Sequence, residues 1–180
     1  MLTFIETHSF MADTIAMVAN LALALSLIVA LIFGIAQVRA AARDRQERLT
    51  LETLRNFQTR EFAELIHFIT SHDMPATAKE LSAVPAGERI MFIQFGQQME
   101  SLGILVAERL INIDLVDKTL GSLVTSAWEK YKKTILDMRE KQPDPFLSEY
   151  FQWLAEQIDT RMTKNPREPF FRSSVTVVDD

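Results

Sequence analysis

Cysteine is absent from the 180-residue sequence, and charge of either sign is absent from residues 14–38. Without thiols the chain forms no disulfide, no iron–sulfur cluster, no Cys-ligated zinc site and no thiolate nucleophile. The sequence also lacks a phosphate-binding P-loop, a dinucleotide-binding glycine motif, a serine nucleophile elbow and the zinc motif HExxH. We therefore expect no cofactor, no metal and no enzymatic activity.

The uncharged residues 14–38 are apolar almost throughout, with the sequence TIAMVANLALALSLIVALIFGIAQV. As a helix this segment is roughly 37 Å long, against about 30 Å for the hydrocarbon core of a bilayer. A buried core helix of a soluble protein is the alternative, but such helices are shorter and seldom apolar on every face. The sequence predicts a transmembrane helix at 14–38 after a short extracytoplasmic segment at 1–13.

The distribution of basic residues predicts which way the span is oriented. All 19 Lys and Arg residues follow Val38, and those nearest the span are Arg39, Arg43, Arg45 and Arg48. Because cytoplasmic flanks are rich in Lys and Arg, we expect the N-terminus outside and the C-terminal domain in the cytoplasm, at the cell inner membrane. A cleaved signal peptide is the alternative. Signal peptides open with basic residues, whereas this chain opens with Glu6 and Asp13, so we expect an uncleaved anchor.

Small residues recur every fourth position within the span. They are Ala22, Ser26, Ala30 and Gly34. This spacing lets two helix backbones approach closely, which favours a packing face for a second copy or for another membrane protein. The alternative interpretation is that alanine is simply common in such helices. The bilayer is the first expected partner, and a homo-oligomer or another membrane protein is the second.

The rest of the chain predicts an all-α fold, in which the membrane helix continues into a stalk and then a small helical bundle. We expect one continuous basic stalk helix at 39–72, a bundle domain at 73–165 that packs with the end of the stalk, and a mobile tail at 166–180. Good helix formers without Gly or Pro fill 39–72, and Pro75 follows it. The net charge of −5 does not suit nucleic-acid binding.

Within the bundle, helix signals predict the element boundaries. Residues 86–112 are apolar on nearly every side, which is typical of a helix wrapped by others. Asp114 is expected to cap a short helix that Gly121 ends, and a new helix is expected from Ser122 to Lys141. Asp144 and Pro145 predict the start of a last helix over 146–164.

Several core-type motifs lie within residues 50–160. They are Leu54-Arg55-x-Phe57-Gln58-x-Arg60-Glu61-Phe62, Glu100-x-x-Gly103-x-Leu105-Val106, Leu110-Ile111-x-Ile113-Asp114-Leu115-Val116, Trp128-Glu129 and Phe151-x-Trp153-Leu154-Ala155. These motifs resemble an uncharacterised bacterial family of single-span membrane proteins with a small all-helical cytoplasmic domain of unknown function. The resemblance implies a bacterial inner-membrane protein. It implies no activity and supplies no catalytic residues.

Three charged residues surrounded by apolar sequence are the candidate site residues. Glu100 is expected to face Arg109 or Arg139, either as a structural ion pair or as the lining of a small-ligand pocket. Glu64-x-x-His67 has the spacing of a helical metal-ligand pair, but di-iron bundles need two such motifs and two further Glu residues.

These patterns predict a membrane-anchored helical interaction module that acts as a subunit, scaffold or assembly factor of a bacterial membrane complex. The alternatives are a membrane-anchored sensor or regulator that binds a small ligand in the helical domain, and a metal-dependent enzyme that uses Glu64 and His67.

Overall fold

The computed structural model describes residues 2–141 and 144–172. Six α-helices and no strand are found in these residues, which confirms the predicted all-α class of a long N-terminal helix followed by a bundle. The helices are α1 (Leu2–Asn56), α2 (Arg60–Ser71), α3 (Ala78–Ala83), α4 (Ala86–Ala107), α5 (Ile113–Lys141) and α6 (Glu149–Lys164), followed by a 3-10 turn at Phe170–Arg172. The end of the predicted mobile tail, residues 173–180, lies outside the described residues.

The chain divides into two compact units, Met1–Arg45 and Gln46–Asp180. The first unit consists of α1 as far as Arg45. Its apolar side chains from residue 16 to residue 38 are exposed, with Leu27 at 73% and Val38 at 71%. In length and composition this helix is a candidate membrane span.

The second unit begins with the last turns of α1, and here the structure differs from the predicted continuous helix at 39–72. Helix α1 ends at Asn56, and Thr59 starts α2 by accepting a hydrogen bond from the Phe62 amide at 3.2 Å. Threonine is a favoured N-cap residue, so this break needs neither Gly nor Pro. The ring of Phe57 packs edge-on against Phe62 at 4.8 Å, and Phe62 is buried in the core. The interruption thus lets α2 turn its apolar side inward.

Helix α4 ends at Ala107, five residues before the predicted end at 112. Arg109 has a φ of 57°, and the Leu110 amide donates back to the Leu105 carbonyl at 2.9 Å. This is the left-handed turn that commonly ends a helix, with arginine where glycine is usual. Gln46 Nε2 donates to the Arg109 carbonyl at 2.9 Å, and this bond from α1 helps hold the turn.

Helix α5 is continuous through Gly121, so the predicted helix end at Gly121 is wrong. Gly121 lies inside α5 and does not have the positive φ that a glycine at a helix end often adopts. A Cβ at this position would meet Asp117 Oδ1 at 2.6 Å and Ile158 of α6 at 3.4 Å, so the glycine serves close packing. The predicted cap is also misplaced by two residues. The capping residue is Asn112, whose Oδ1 accepts a hydrogen bond from the Asp114 amide at 2.7 Å.

Helix α6 begins at Glu149, three residues after the predicted start at 146. Asp144 Oδ1 accepts from the Phe146 amide at 3.1 Å and so stabilises a turn before the helix. Ser148 then adopts a left-handed φ of 56°, and its side chain caps nothing. The start of α6 therefore requires a capping group from elsewhere in the fold.

Aromatic side chains connect the helices of the second unit through one core. Phe95 stacks on Phe62 at 6.3 Å, and Tyr131 lies 5.8 Å from both Phe95 and Phe151. Trp128 packs edge-on against Phe151 at 5.3 Å. These contacts join α2, α4, α5 and α6, so the aromatic residues determine how the bundle closes.

Helices α4 and α6 approach each other closely in this core. A Cβ at Gly103 would lie 2.3 Å from the Tyr150 carbonyl oxygen and 2.6 Å from its carbonyl carbon. Those atoms are backbone and cannot rotate away. Glycine at 103 is therefore required by packing, although it weakens the helix that contains it.

We expect Gly103→Ala to destabilise the helical domain by about 1–3 kcal/mol, because the added methyl group overpacks the contact with Tyr150. Thermal unfolding of the full chain in detergent would measure the loss. Gly87→Ala is the matched control, since a Cβ at Gly87 meets nothing within 4 Å. Equal stability of the two variants would contradict the assignment.

Candidate functional site

A groove of about 590 Å³ opens between α3, α4, α5 and the turn that precedes α6. Its lining is mostly apolar and includes Met74, Leu81, Ile93, Ile135, Met138 and Leu147. Glu100, Gln97 and Ser101 supply polar groups along α4. A concave, mostly apolar site with few polar groups is the usual form of a small-molecule or peptide site.

Glu100 lies in this groove and caps α6. Its two carboxylate oxygens accept hydrogen bonds from the backbone amides of Tyr150 at 3.2 Å and Phe151 at 2.8 Å. These amides belong to the first turn of α6, where helical N–H groups lack partners within the helix and a negative charge is favoured. The carboxylate of α4 therefore performs the capping that Ser148 does not.

Arg139 binds the same end of α6 from α5. Its guanidinium donates to the Leu147 carbonyl at 2.9 Å and 2.7 Å, and to Gln152 Oε1 at 2.7 Å. Glu100 and Arg139 thus hold neighbouring backbone groups, and no ion pair joins Glu100 to Arg139 or Arg109 among the described residues. The expected ion pair is not formed. Glu100 lines the groove, and its role in binding a small ligand remains a prediction. Arg109 is exposed in the turn after α4.

A row of three polar residues on α5 holds the connecting segment that contributes Met74 to the groove. Lys130 Nζ donates to the Ile69 carbonyl at 2.7 Å, at the end of α2. Thr134 donates to the Pro75 carbonyl, and Asp137 Oδ2 accepts from the Ala78 amide at 2.8 Å, at the start of α3. The row is spaced four and three residues apart, so all three side chains lie on one face of α5. Sequence reasoning missed this row because its partners are backbone groups far away in the chain.

Tyr131 also lines the groove and is buried. Its hydroxyl donates to the Phe92 carbonyl at 2.9 Å. Burial raises the pKa of the Tyr131 phenol far above its ordinary value, because the phenolate would lose its hydration. Tyr131 therefore remains a neutral structural hydrogen-bond donor, not a proton-transfer group.

A second, smaller groove of about 340 Å³ lies on the other side of α4. Amide and hydroxyl side chains dominate its lining, among them Thr53, Asn56, Gln94, Gln97, Gln98 and Ser101. The Oε1 atom of Gln98 is buried and accepts no hydrogen bond from the described part of the chain. Gln97 and Ser101 line both grooves, so α4 forms the ridge that separates them.

A third pocket of about 540 Å³ lies where α6 ends beside the start of α5. Four of its charged residues form two ion pairs. Arg161 binds Asp114, and Arg167 Nη2 lies 3.2 Å from Oδ1 of the buried Asp117. Arg167 also donates to the Asp117 carbonyl at 3.1 Å, so these groups join residue 167 to α5.

The predicted metal-ligand spacing of Glu64 and His67 lies on the exposed side of α2. Glu64 pairs with Arg60 at 2.8 Å. In the described ranges, no group of three or more His, Asp or Glu residues is placed to hold a metal ion.

The predicted membrane features all lie in or next to the first unit. Ser26 donates to the Ala22 carbonyl at 2.8 Å, and a Cβ at Gly34 would meet nothing within 4 Å. Ala30 and Gly34 therefore form an open notch along α1. The arginines that follow the apolar segment, Arg39, Arg43, Arg45 and Arg48, are all exposed. The packing face and the orientation remain predictions.

Comparison with known families adds one finding. A family model described as "Domain of unknown function (DUF4760)" matches residues 23–158. The chain belongs to the DUF4760 family. This membership confirms the expected relation to a family without assigned function. Comparison with curated proteins gives no significant match, and comparison with solved structures gives none.

The DUF4760 match contains both grooves, the Glu100 and Arg139 contacts and the α5 row. It also begins at residue 23, within the apolar segment 14–38. The family model therefore describes a helical domain together with much of the apolar helix that precedes it.

The start of α3, at the edge of the apolar groove, is expected to weaken in acid. Lys141 Nζ lies 2.6 Å from Asp137 Oδ1, and with the bond from the Ala78 amide it lowers the pKa of the Asp137 carboxyl. A lowered folded-state pKa stabilises the fold above the unfolded pKa, and this contribution disappears as the pH falls through the folded pKa.

We therefore expect Asp137→Asn to lower the melting temperature of the full chain at pH 7, with a difference from the natural chain that vanishes in acid. Lys141→Met should remove part of the same difference, because Lys141 is the larger cause of the pKa change. Melting curves of both variants and of the natural chain, recorded from pH 7 down into acid, would measure these differences. A difference independent of pH would show that the charge of Asp137 is irrelevant.

Proposed function

We propose that this DUF4760 protein is a single-span protein of the bacterial inner membrane, with its N-terminus outside and its helical domain in the cytoplasm. The observation that carries this proposal is the exposure of every apolar side chain from residue 16 to residue 38. An apolar surface of this length is unfavourable in water and is matched by the hydrocarbon core of a bilayer. The exposed arginines from Arg39 to Arg48 support the orientation.

We propose further that the helical domain is a docking module, a subunit or scaffold of a membrane complex. The notch at Ala30 and Gly34 supports contact with another helix in the membrane. In the second unit, the Glu100 carboxylate, which lines the apolar groove, is used to cap α6. This structural use of the carboxylate favours binding over catalysis.

A small-ligand sensor is the second candidate, because the apolar groove of about 590 Å³ lies within the size range of ligand sites. A ligand there would contact Ile93, Ile135 and Met138, and would adjoin the Glu100 carboxylate at the start of α6. Binding would thereby alter the packing of α4 against α6.

The orientation predicts the behaviour of reporters fused after Asp180. We expect green fluorescent protein to fluoresce there and alkaline phosphatase, which folds only in the periplasm, to be inactive. Replacing the arginines at 39, 43, 45 and 48 with glutamine should reduce the fluorescence, since these residues create the charge bias. An active phosphatase fusion would overturn the orientation, and loss of the first 38 residues from the membrane-bound protein would overturn the anchor.

The docking role predicts that another protein, or further copies of this chain, remains bound at constant stoichiometry when the full chain is purified in mild detergent. Ala30→Leu combined with Gly34→Leu should reduce recovery of a partner that binds the span, whereas Ile28→Leu, on another side of the helix, should not. Mass spectrometry of the same sample would distinguish the two candidates. A stoichiometric small molecule released on denaturation would favour the sensor, and a lone monomer without ligand would contradict both.

A further inference from the structure

Six exposed residues of α4 form one continuous face, called the α4 face below. They are Ile90, Ile93, Gln94, Gln97, Ser101 and Ile104. Their spacing places them along a single side of the helix over about 21 Å. Ile90 is 59% exposed and Ile93 47%, so apolar surface faces outward at one end of the face.

The α4 face carries no charge, although 24% of the chain is charged. Glu100 is the only ionisable residue between 90 and 107, and its carboxylate is bound to the start of α6. Within the second unit, the exposed sides of the other long helices carry charges, such as Arg60 and Glu64 on α2, Lys132 and Lys133 on α5, and Glu156 and Asp159 on α6. Depletion of charge at the centre of a surface is typical of protein interfaces.

The shape of the α4 face is suited to pairing with itself. The helix forms a ridge, with the apolar groove on one side and the amide-lined groove on the other. In a two-fold pair the same patch of each copy meets its equivalent, so a ridge beside a groove is self-complementary. Ile93 of each copy would then enter the apolar groove of the other.

The chemistry of the α4 face also suits a second copy. A glutamine amide both donates and accepts, so Gln94 and Gln97 can bond to the same residues across a two-fold axis. The chain has a net charge of −5, and this face opposes no like charges when two copies meet.

We propose that a second copy of this chain docks on the α4 face, forming a two-fold symmetric pair with Gln97 near the axis. This inference rests on the proposed docking function and names the partner. Anchoring in one bilayer raises the effective concentration of the two domains, so a surface of modest size is sufficient.

Cysteine cross-linking of the full chain in detergent micelles or nanodiscs tests the pair directly. The sequence has no cysteine, so a single introduced thiol is unique. We expect oxidised Gln97→Cys to form a disulfide-linked dimer, because a residue near a two-fold axis meets its own copy. Glu129→Cys is the control, since Glu129 is exposed on α5 and lies outside the α4 face.

Charge substitution provides an independent measurement of the same surface. Ile93→Glu would bring a negative charge into the apolar groove of the other copy, whose lining includes Glu100, and we expect it to weaken dimerisation at least about ten-fold. Leu136→Glu is the matched control, because Leu136 is exposed to a similar degree, 42%, on α5. Light scattering or native mass spectrometry gives the oligomeric state, and circular dichroism verifies that both variants stay folded. Gln97→Lys should act as Ile93→Glu does.

Three results would overturn the inference. They are a monomeric natural chain, equal cross-linking at positions 97 and 129, and equal effects of the charges at positions 93 and 136. Cross-linking of position 97 to a different protein would also refute self-pairing, but it would leave the docking function intact. The docking function itself would be refuted if the chain were found without any bound protein in membranes at every protein concentration.

Discussion

The close contact between α4 and α6 is the constraint on which the helical domain depends. Gly103 lets α4 approach the backbone of Tyr150, and Glu100, three residues earlier on the same side, accepts the amides of Tyr150 and Phe151. Neither feature is sufficient alone, because the carboxylate reaches those amides only if the helices are this close. The contact also defines one side of the apolar groove, since Glu100 and Ser148 both line it. The groove is therefore a consequence of how α6 is capped.

Much of the remaining geometry follows from side chains that bind backbone groups in distant segments. Lys130, Thr134 and Asp137 hold the segment from Ile69 to Ala78 against α5. Thr50 accepts the Asn112 amide at 2.9 Å and donates to the Gln46 carbonyl at 2.7 Å, although it is fully buried. Helix ends leave backbone groups without partners, and a small domain with short connections satisfies them across helices. Polar residues inside this bundle therefore fix its turns and need no ligand to explain them.

Patterns of local origin were predicted from the sequence, and patterns of tertiary origin were not. The end of α2 before Pro75 and the apolar α4 follow from the proline and from the apolar pattern of residues 86–112. The break at Thr59 and the end at Ala107 do not, because the first depends on Phe62 reaching the core and the second on Gln46 holding Arg109 in a left-handed turn. The sequence singles out Glu100 but predicts an arginine as its partner, whereas its partners are the first amides of α6. Sequence reveals that a buried charge needs compensation, but not whether a side chain or a helix end supplies it.

The uncharged surface of residues 16–38 and the α4 face differ in chemistry, and this difference favours different surroundings for them. The exposed side chains of residues 16–38 are almost all hydrocarbon, as a lipid environment requires. The α4 face instead combines isoleucines with Gln94, Gln97 and Ser101, whose polar groups would lose their hydrogen bonds in hydrocarbon at a cost of several kcal/mol. Water satisfies the amides but not the isoleucines, and lipid does the reverse. A protein surface that offers both apolar contact and hydrogen-bonding groups satisfies the whole face, which is why a second copy of α4 suits it better than a membrane does.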